Sequence, residues 1–149
     1  MQATVVGIFI APKEGADVVA VDQVRAEAGC GLEGDRHYRP DAEDADQVTL
    51  IEMEGLEAAR RDHGLDLIPG EHRRNIVTRG LDLGSLVGSK LKVGDAEVEA
   101  IRLNPPCRYL QELTGKPVVK GLHGRGGVRG RIVTSGVIRV GDPIVDQSR

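Results

Sequence analysis

The sequence predicts a mainly β domain, a closed or nearly closed twisted β-barrel with one or two short helices. Short runs rich in β-branched residues recur along the chain, and 20 glycines lie mostly between them. Glycine relieves crowding where a strand bends, so this pattern is typical of curved sheets and barrels. Only 2% of the residues are aromatic, so the predicted core is aliphatic. A chain of 149 residues is the size of one domain, which we predict over residues 1–149.

Strands are predicted wherever β-branched runs lie between turn residues. The first two runs are separated by "PKEGA", which predicts a hairpin at a sheet edge. The predicted strand regions are residues 3–11, 17–27, 47–52, 75–78, 90–103 and 129–145. The predicted turns and corners within them are Gly94-Asp95, Ser135-Gly136 and Gly141-Asp142.

One helix is predicted, over residues 53–64. Met53, Leu56 and Ala59 recur at helical spacing, and Gly64 suits a helix C-terminus. The glycine-dense stretch 29–40 predicts a loop, because nothing regular survives that glycine content. The acidic run "DAEDAD" that follows predicts a solvated connection.

The formal net charge of −3 hides an asymmetry, since residues 1–100 carry −9 and residues 101–149 carry +6. The positive charges are scattered among predicted strands and glycines, which favours a small anionic ligand over nucleic acid. Few aromatic residues also argue against a single-strand stacking platform. The sequence shows neither a secretory signal nor a membrane span, so we expect a cytoplasmic protein without a membrane partner.

The stretch "NPPCRYL" (104–110) places Cys107 behind two prolines. Both prolines restrict the backbone, so the thiol is held at a fixed position. Such a thiol suits metal ligation or sulfur chemistry, and the alternative is a small buried apolar side chain at a strand end. If the stretch is extended, Cys107 shares a face with Tyr109, and Arg108 points the other way. A disulfide between Cys107 and Cys30 is not favoured.

The stretch "GLEGDRH" (31–37) is a candidate ligand-binding loop. Asp35 offers an acceptor, and Arg36 and His37 offer donors. The alternative is a tight turn capped by Asp35, which needs no ligand.

The stretch "EHRRNIV" (71–77) places two arginines and an asparagine before a predicted strand. Arginine forks suit phosphate and carboxylate groups. If the run is extended, Arg73 and Asn75 share a face and Arg74 opposes them, so only one of the two arginines is expected to face a given pocket. The alternative is a pair of solvated surface arginines.

The stretch "KGLHGRGGVRGR" (120–131) combines five glycines with basic side chains, including Arg125 and Arg129. Backbone N–H groups in such a loop can form a concavity for an oxyanion or phosphate. The alternative is a flexible hairpin tip with solvated charges. The four histidines of the chain show no metal-ligand spacing, so a zinc site is not expected.

In this order and spacing, the motifs resemble a stand-alone MOSC domain, the family named for the C-terminal domain of molybdenum cofactor sulfurases. The resemblance runs from about residue 5 to residue 145. It is carried by Gly-Asp-Arg at 34–36, Arg-Arg-Asn at 73–75, Pro-Cys at 106–107 and the closing Gly-Asp at 141–142.

The resemblance implies a β-barrel of the MOSC and pyruvate-kinase type, and it implies that Cys107 is the signature cysteine of the family. In sulfur-carrying members that cysteine holds a persulfide, and in amidoxime-reducing members it ligates molybdenum. Pyridoxal phosphate is not expected, because 149 residues leave no room for the desulfurase domain of the larger sulfurases. We therefore expect a separate sulfur donor protein as a partner.

The predicted ligand is the molybdenum cofactor (molybdopterin), whose metal needs a soft sulfur, whose phosphate needs cations and whose pterin edge needs polar groups. Cys107 is the predicted catalytic residue, and a molybdenum ligand if the metal is bound. The predicted cofactor-binding residues are Asp35, Arg36, His37, Arg73, Arg74, Asn75, Arg108, Arg125 and Arg129.

The predicted function is cofactor binding, or carriage of sulfur as a persulfide on Cys107 to a metal–sulfur acceptor, in a sulfur-transferring or molybdenum-dependent enzyme. Three alternatives stay open. They are a non-catalytic module that binds or delivers the cofactor, a reductase component with Cys107 as metal ligand, and a barrel that binds an unrelated anionic small molecule.

Overall fold

A computed structural model describes residues 2–13 and 17–147, and within them the chain forms eleven strands and three α-helices. The strands are β1 (Ala3–Ile10), β2 (Val19–Val21), β3 (Gln23–Glu27), β4 (Gly31–Leu32), β5 (Val48–Glu52), β6 (Ile76–Arg79), β7 (Lys90–Val93), β8 (Ala96–Leu103), β9 (Val128–Thr134), β10 (Gly136–Arg139) and β11 (Pro143–Asp146). The helices are α1 (Met53–His63), α2 (Arg108–Thr114) and α3 (Val118–Gly121).

Seven strands close into a barrel in the order β1-β6-β5-β9-β8-β7-β11, and β11 pairs back onto β1. All neighbours in the barrel are antiparallel except β5 and β6, which are parallel. The strand β2 extends the sheet beyond β1, and β10, β3 and β4 form a separate small sheet. The predicted mainly β barrel is confirmed.

The barrel interior is aliphatic and follows the two-residue period of strands. Along β8, the buried residues Ala96, Val98 and Ala100 alternate with partly exposed ones. The two strands β8 and β9 approach closely at Gly130, where a Cβ atom would lie 2.5 Å from the carbonyl oxygen of Glu99. A side chain at Gly130 would therefore push the barrel wall apart.

The predicted turns are confirmed at three places. Gly94, in the left-handed region at φ 58°, turns the β7–β8 hairpin, where Val93 pairs with Ala96. The residue Ser135 separates β9 in the barrel from β10 in the small sheet, and Gly141-Asp142 separates β10 from β11. The predicted N-terminal hairpin is confirmed for β1 and β2, but the second run divides and β3 joins the small sheet.

Helix α1 lies in the connection between the parallel strands β5 and β6, because parallel neighbours need a long crossover, which is usually a helix. It ends as predicted at Gly64, which has φ 64° and donates its N–H to the Arg60 carbonyl oxygen. On the outer barrel wall, Phe9, Ile51 and Val77 pack against Met53 and Leu56 of α1. None of the helices among the described residues has the length and apolar character needed to cross a bilayer.

Helices α2 and α3 were not predicted, and an extended backbone beyond Cys107 is wrong, because α2 begins at Arg108. The prolines before Cys107 keep that segment extended, and the helix begins where they end. Isolated helices as short as α2 and α3 are unstable in water, so packing against the rest of the protein decides whether they form. The packing is a second small core of buried side chains from α1, α2, α3 and their connections, formed by Ala59, Leu65, Leu110, Val118 and Leu122.

Candidate functional site

One end of the barrel brings most of the predicted cofactor-binding residues together. Strand pairing aligns Ile8 of β1 with Ile76 of β6, Ile76 with Leu50 of β5, and Leu50 with Val128 of β9. The loops and strand ends beside these residues enclose a narrow pocket of about 40 Å³, here called the arginine pocket. It is lined by Phe9, Ala11, Val18, Asp35, Arg36, His37, Asp46, Thr49, Arg73, Arg74, Asn75 and Arg129.

Arg74 lines the pocket and is buried, so it is not a solvated surface arginine. Its Nε donates to the Gly126 carbonyl oxygen at 3.0 Å, and one Nη donates to the carbonyl oxygens of Asn104 at 3.2 Å and Pro105 at 3.5 Å. The other Nη donates to the His72 carbonyl oxygen at 3.3 Å. Arg74 therefore fastens the loop that leads to Cys107 to the glycine-rich segment before β9.

Burial lowers the pKa of Arg74 to about 10. The negative charge of a Cys107 thiolate opposes this lowering of the pKa, and the positive charge of Arg129 adds to it. At neutral pH the guanidinium is still charged. The arginine pocket and Cys107 thus share one buried cation, which attracts a thiolate at Cys107.

Cys107 is exposed and lies at the N-terminal end of α2, and it does not line the arginine pocket. Its loop is fixed by a hydrogen bond from Asn104 N–H to the Gly127 carbonyl oxygen at 2.8 Å. A Cβ atom at Gly126 would lie 2.1 Å from the Asn104 carbonyl oxygen, so only glycine permits this contact. The thiol is therefore accessible and its backbone is anchored. This excludes the alternative of a buried apolar Cys107.

Arg73 has φ 56°, a left-handed conformation that is uncommon for a residue with a side chain. The strand β6 begins only at Ile76, so residues 73–75 do not belong to an extended strand. The prediction that only one of the two arginines faces a given pocket is therefore wrong. Because the backbone turns at Arg73, both arginines and Asn75 line the same pocket.

Asp35 caps the turn of the Gly-Asp-Arg motif. One carboxylate oxygen accepts from Ala11 N–H at 3.0 Å, and the other accepts from His37 N–H at 3.4 Å and lies 3.5 Å from His37 Nδ1. Burial alone would raise the pKa of Asp35, but the hydrogen bonds from His37 and Ala11 outweigh burial and lower it. Asp35 therefore acts as the structural cap, and it also borders the pocket.

Asn75 uses its side chain to join three elements. Its Oδ1 accepts from the N–H and hydroxyl of Thr49, and its Nδ2 donates to the Phe9 carbonyl oxygen at 3.0 Å. Its own N–H donates to the Thr49 hydroxyl. The amide hydrogens and oxygen of Asn75 therefore hold β1, β5 and β6 together at the pocket.

Arg129 pairs with Asp46 at 2.7 Å and donates to the Ala45 carbonyl oxygen at 2.9 Å. The sequence interpretation missed Asp46, because it treated the acidic run as a solvated connection. Arg36 also lines the pocket, and its guanidinium makes no hydrogen bond or ion pair to residues 2–13 or 17–147. Arg36 is thus available to a ligand.

Two of the predicted cofactor-binding residues lie away from this pocket. Arg125 pairs with Asp62 of α1 at 2.8 Å and borders a different surface depression, which contains His63 and His123. Arg108 is exposed at the start of α2, next to Cys107 in the chain. Residues that the sequence interpretation did not single out, Phe9 and Thr49, line the pocket instead.

The donor set fits an anionic group. Four arginines face two carboxylates, those of Asp35 and Asp46, so the lining carries an excess of positive charge. The volume of about 40 Å³ has room for roughly three water molecules, which is the size of an oxyanion rather than a pterin. A phosphate group fits here, and the remainder of a larger ligand would extend outside the pocket.

The family model for the MOSC domain matches residues 33–145, which include Asp35, Arg73, Arg74, Cys107 and Arg129. This chain belongs to the MOSC domain family. The family is associated with functions of the molybdenum cofactor sulfurase type. No curated protein sequence matches the chain significantly.

Solved structures agree with this MOSC fold. The YuaD protein from Bacillus subtilis is similar with a TM-score of 0.84 and 21% identity, over 97% of this chain and 94% of that one. YiiM from Geobacillus stearothermophilus has a TM-score of 0.78 and 20% identity, over 99% and 76% of the two chains. YiiM from Escherichia coli has a TM-score of 0.70 and 21% identity, over 100% and 71%.

Proposed function

We propose that this MOSC domain binds a phosphate-bearing ligand of the molybdenum cofactor type at the arginine pocket and carries sulfur as a persulfide on Cys107. Residues 1–149 act as one domain in this proposal, in the cytoplasm and with a separate sulfur donor protein. The observation that carries the proposal is the position of Arg74. It lines the anion-binding pocket and, through Asn104 and Pro105, anchors the loop that ends at Cys107.

The arginine pocket has the chemistry to hold the phosphate. Arg36 is available, and Arg73 and Arg129 border the same space, so charge-assisted hydrogen bonds can form from several sides. The polar edge of the pterin has fewer partners than the sequence indicates, because Asn75 already bonds Thr49 and Phe9. When bound, the cofactor supplies a molybdenum–sulfur centre as the sulfur acceptor.

Persulfide loading at Cys107 is a balanced exchange. The thiolate attacks the outer sulfur of a donor persulfide R–S–SH, the bond between the two donor sulfurs breaks, and the donor leaves as the thiolate R–S⁻. Cys107 then carries the group –S–SH, and no external oxidant is consumed. The guanidinium of Arg74 supplies a positive charge that interacts with the attacking thiolate.

Release of the outer sulfur uses a thiol as reductant. A second thiolate R′–S⁻ attacks the inner sulfur, the S–SH bond breaks, and hydrosulfide leaves to the acceptor. Cys107 is left in a mixed disulfide with R′. The exposure of Cys107 allows both thiols to reach it.

The test is the molybdenum and pterin content of protein purified anaerobically from a host that makes the cofactor. Arg129→Ala should lower the content about tenfold, since it removes a charged phosphate donor. Arg131→Ala is the matched control on the same strand, because Arg131 pairs with Glu99 and does not line the pocket. Equal content in both variants would contradict the assignment of the pocket.

Cys107→Ala in the same experiment separates the roles of the sulfur. A persulfide carrier keeps its cofactor in this variant, since the arginines hold the phosphate. A cofactor that is present in the native chain and absent from Cys107→Ala would instead make Cys107 a metal ligand. If neither the native chain nor any variant contained cofactor, the chain would not bind the cofactor tightly.

A further inference from the structure

The outer barrel wall contains a second, larger cavity, here called the α1 cavity. It lies between α1, the outer faces of β1 and β6, and the segment 65–69, and its volume is about 350 Å³. Apolar side chains such as Val6, Leu56 and Leu67 make up most of its wall. Voids from imperfect packing rarely exceed a water molecule, whereas small-molecule sites begin at about 300 Å³. The α1 cavity is thus of ligand size.

One buried polar group, His72, lines this apolar cavity, and it is only 3% exposed. Its Nδ1 accepts a hydrogen bond from Arg74 N–H at 2.9 Å, so the proton of the neutral ring is on Nε2. No residue in 2–13 or 17–147 accepts a hydrogen bond from that Nε2–H. An edge-to-face contact with Phe9, with ring centroids 5.1 Å apart, fixes the plane of the imidazole.

The charge of the cavity restricts the ligand further. Burial lowers the pKa of His72 to about 4, and the charge of Arg74 contributes, so the ring is neutral at neutral pH. At the rim, Arg60 is paired with Asp66 and Glu57 is paired with Arg79. No unpaired charge among these groups would compensate an ionic ligand, and burying an ion without compensation is costly.

We propose that the α1 cavity binds a small, neutral, apolar molecule with one hydrogen-bond acceptor, such as a ketone or ester carbonyl, which accepts from His72 Nε2–H. The apolar body fills the space along α1, and the acceptor binds the Nε2–H donor, which has no partner within the described part of the chain. Ile68, which is 64% exposed, stands at the edge of the cavity, where a ligand enters. This site is separate from Cys107 and does not depend on the proposed sulfur chemistry.

The experiment titrates the full chain with two probes of nearly equal shape, acetophenone and ethylbenzene, and follows backbone amide signals by nuclear magnetic resonance. Both should shift the amides of Gly7, Leu65 and His72. Acetophenone should bind about fivefold more tightly, because one hydrogen bond to a buried donor favours it. Absence of binding, equal affinities for the two probes, or shifts confined to other surfaces would overturn the proposal.

Two variants and one control variant sharpen the test. Leu56→Phe fills the cavity and should weaken both probes at least tenfold, whereas Val145→Phe, on the exposed face of β11, should leave both affinities within about twofold. His72→Phe keeps an aromatic ring at this position but removes the N–H donor, so the ratio of the affinities for acetophenone and ethylbenzene should fall to about one. If His72→Phe does not fold, Leu56→Phe still decides, since unchanged binding in Leu56→Phe would refute the site.

Discussion

The two cysteines of this chain lie in opposite electrostatic surroundings. Cys107 is exposed and interacts with the positive charge of the Arg74 guanidinium. Cys30 lies between β3 and β4, where burial, followed by the charges of Glu27 and Asp41, raises the pKa of its thiol. A thiolate is attracted in the first setting and repelled in the second. These electrostatic surroundings favour Cys107 over Cys30 for the sulfur chemistry that we propose.

The largest expected effect comes from removing the cation beside Cys107. Arg74→Leu should lower the free energy of unfolding by about 3 kcal/mol, because the carbonyl oxygens on His72, Asn104 and Gly126 lose a buried donor. Urea denaturation measures this change. Arg108→Leu is the control at an exposed position and should change stability by less than about 0.5 kcal/mol. A stable Arg74→Leu protein would mean that the loop before Cys107 is held by other contacts.

The second prediction concerns the two thiols directly. At pH 7 iodoacetamide should modify Cys107 about tenfold faster than Cys30, because the pKa of Cys30 is raised and Cys107 is the more exposed of the two thiols. Peptide mass spectrometry after a short pulse measures both rates in one sample. The selectivity should narrow as the pH rises, because the thiolate of Cys30 forms only at higher pH. Faster labelling of Cys30 than of Cys107 at neutral pH would contradict the proposed difference between the two thiols.

Sequence reasoning identified most of the site, but not its arrangement. Arg73, Arg74 and Arg129 border one pocket because their motifs lie at neighbouring strands of the barrel, which strand patterns can predict. Asp35 reaches the same pocket from the loop after β4 of the small sheet, where Ala11 N–H binds it. The shared orientation of the two adjacent arginines could not be predicted, since it depends on a positive φ at Arg73.

Long-range pairing was the other missing information. Asp46 reads as one more residue of a solvated acidic run, and only the fold brings it to Arg129, 83 residues later. Arg125 has the same local surroundings of glycine and arginine as Arg129, yet it turns to Asp62. The fold decides which of the two borders the arginine pocket.

The third prediction concerns the negative charge of Glu27 near Cys30. Glu27→Gln removes a negative charge that raises the pKa of Cys30, so the pKa should fall and alkylation of Cys30 at pH 8 should become about threefold faster. Glu33→Gln is the control, because Glu33 pairs with Arg25 and does not contribute to the Cys30 pKa shift. Equal rates in both variants would indicate that burial and Asp41 raise the pKa of Cys30 without a contribution from Glu27.

The smallest expected effect concerns the arginine pocket itself. Asp46→Asn neutralises the partner of Arg129 and should strengthen the binding of inorganic phosphate about twofold at low ionic strength, as expected for one partly exposed ion pair. Amide chemical shifts measure the affinity. Asp44→Asn, in the same acidic run but outside the pocket lining, should leave it unchanged. A weaker affinity in Asp46→Asn would mean that Asp46 positions Arg129 rather than competing with phosphate.

The most direct test of the central claim is sulfur loading of the native chain. The protein is incubated with glutathione persulfide under anaerobic conditions, and the extra sulfur is mapped on proteolytic peptides by mass spectrometry. We predict one additional sulfur on the Cys107 peptide, removable by cyanide, and none on the Cys30 peptide of the same sample. Sulfur on Cys30 and not on Cys107, or equal loading of the two, would contradict the account.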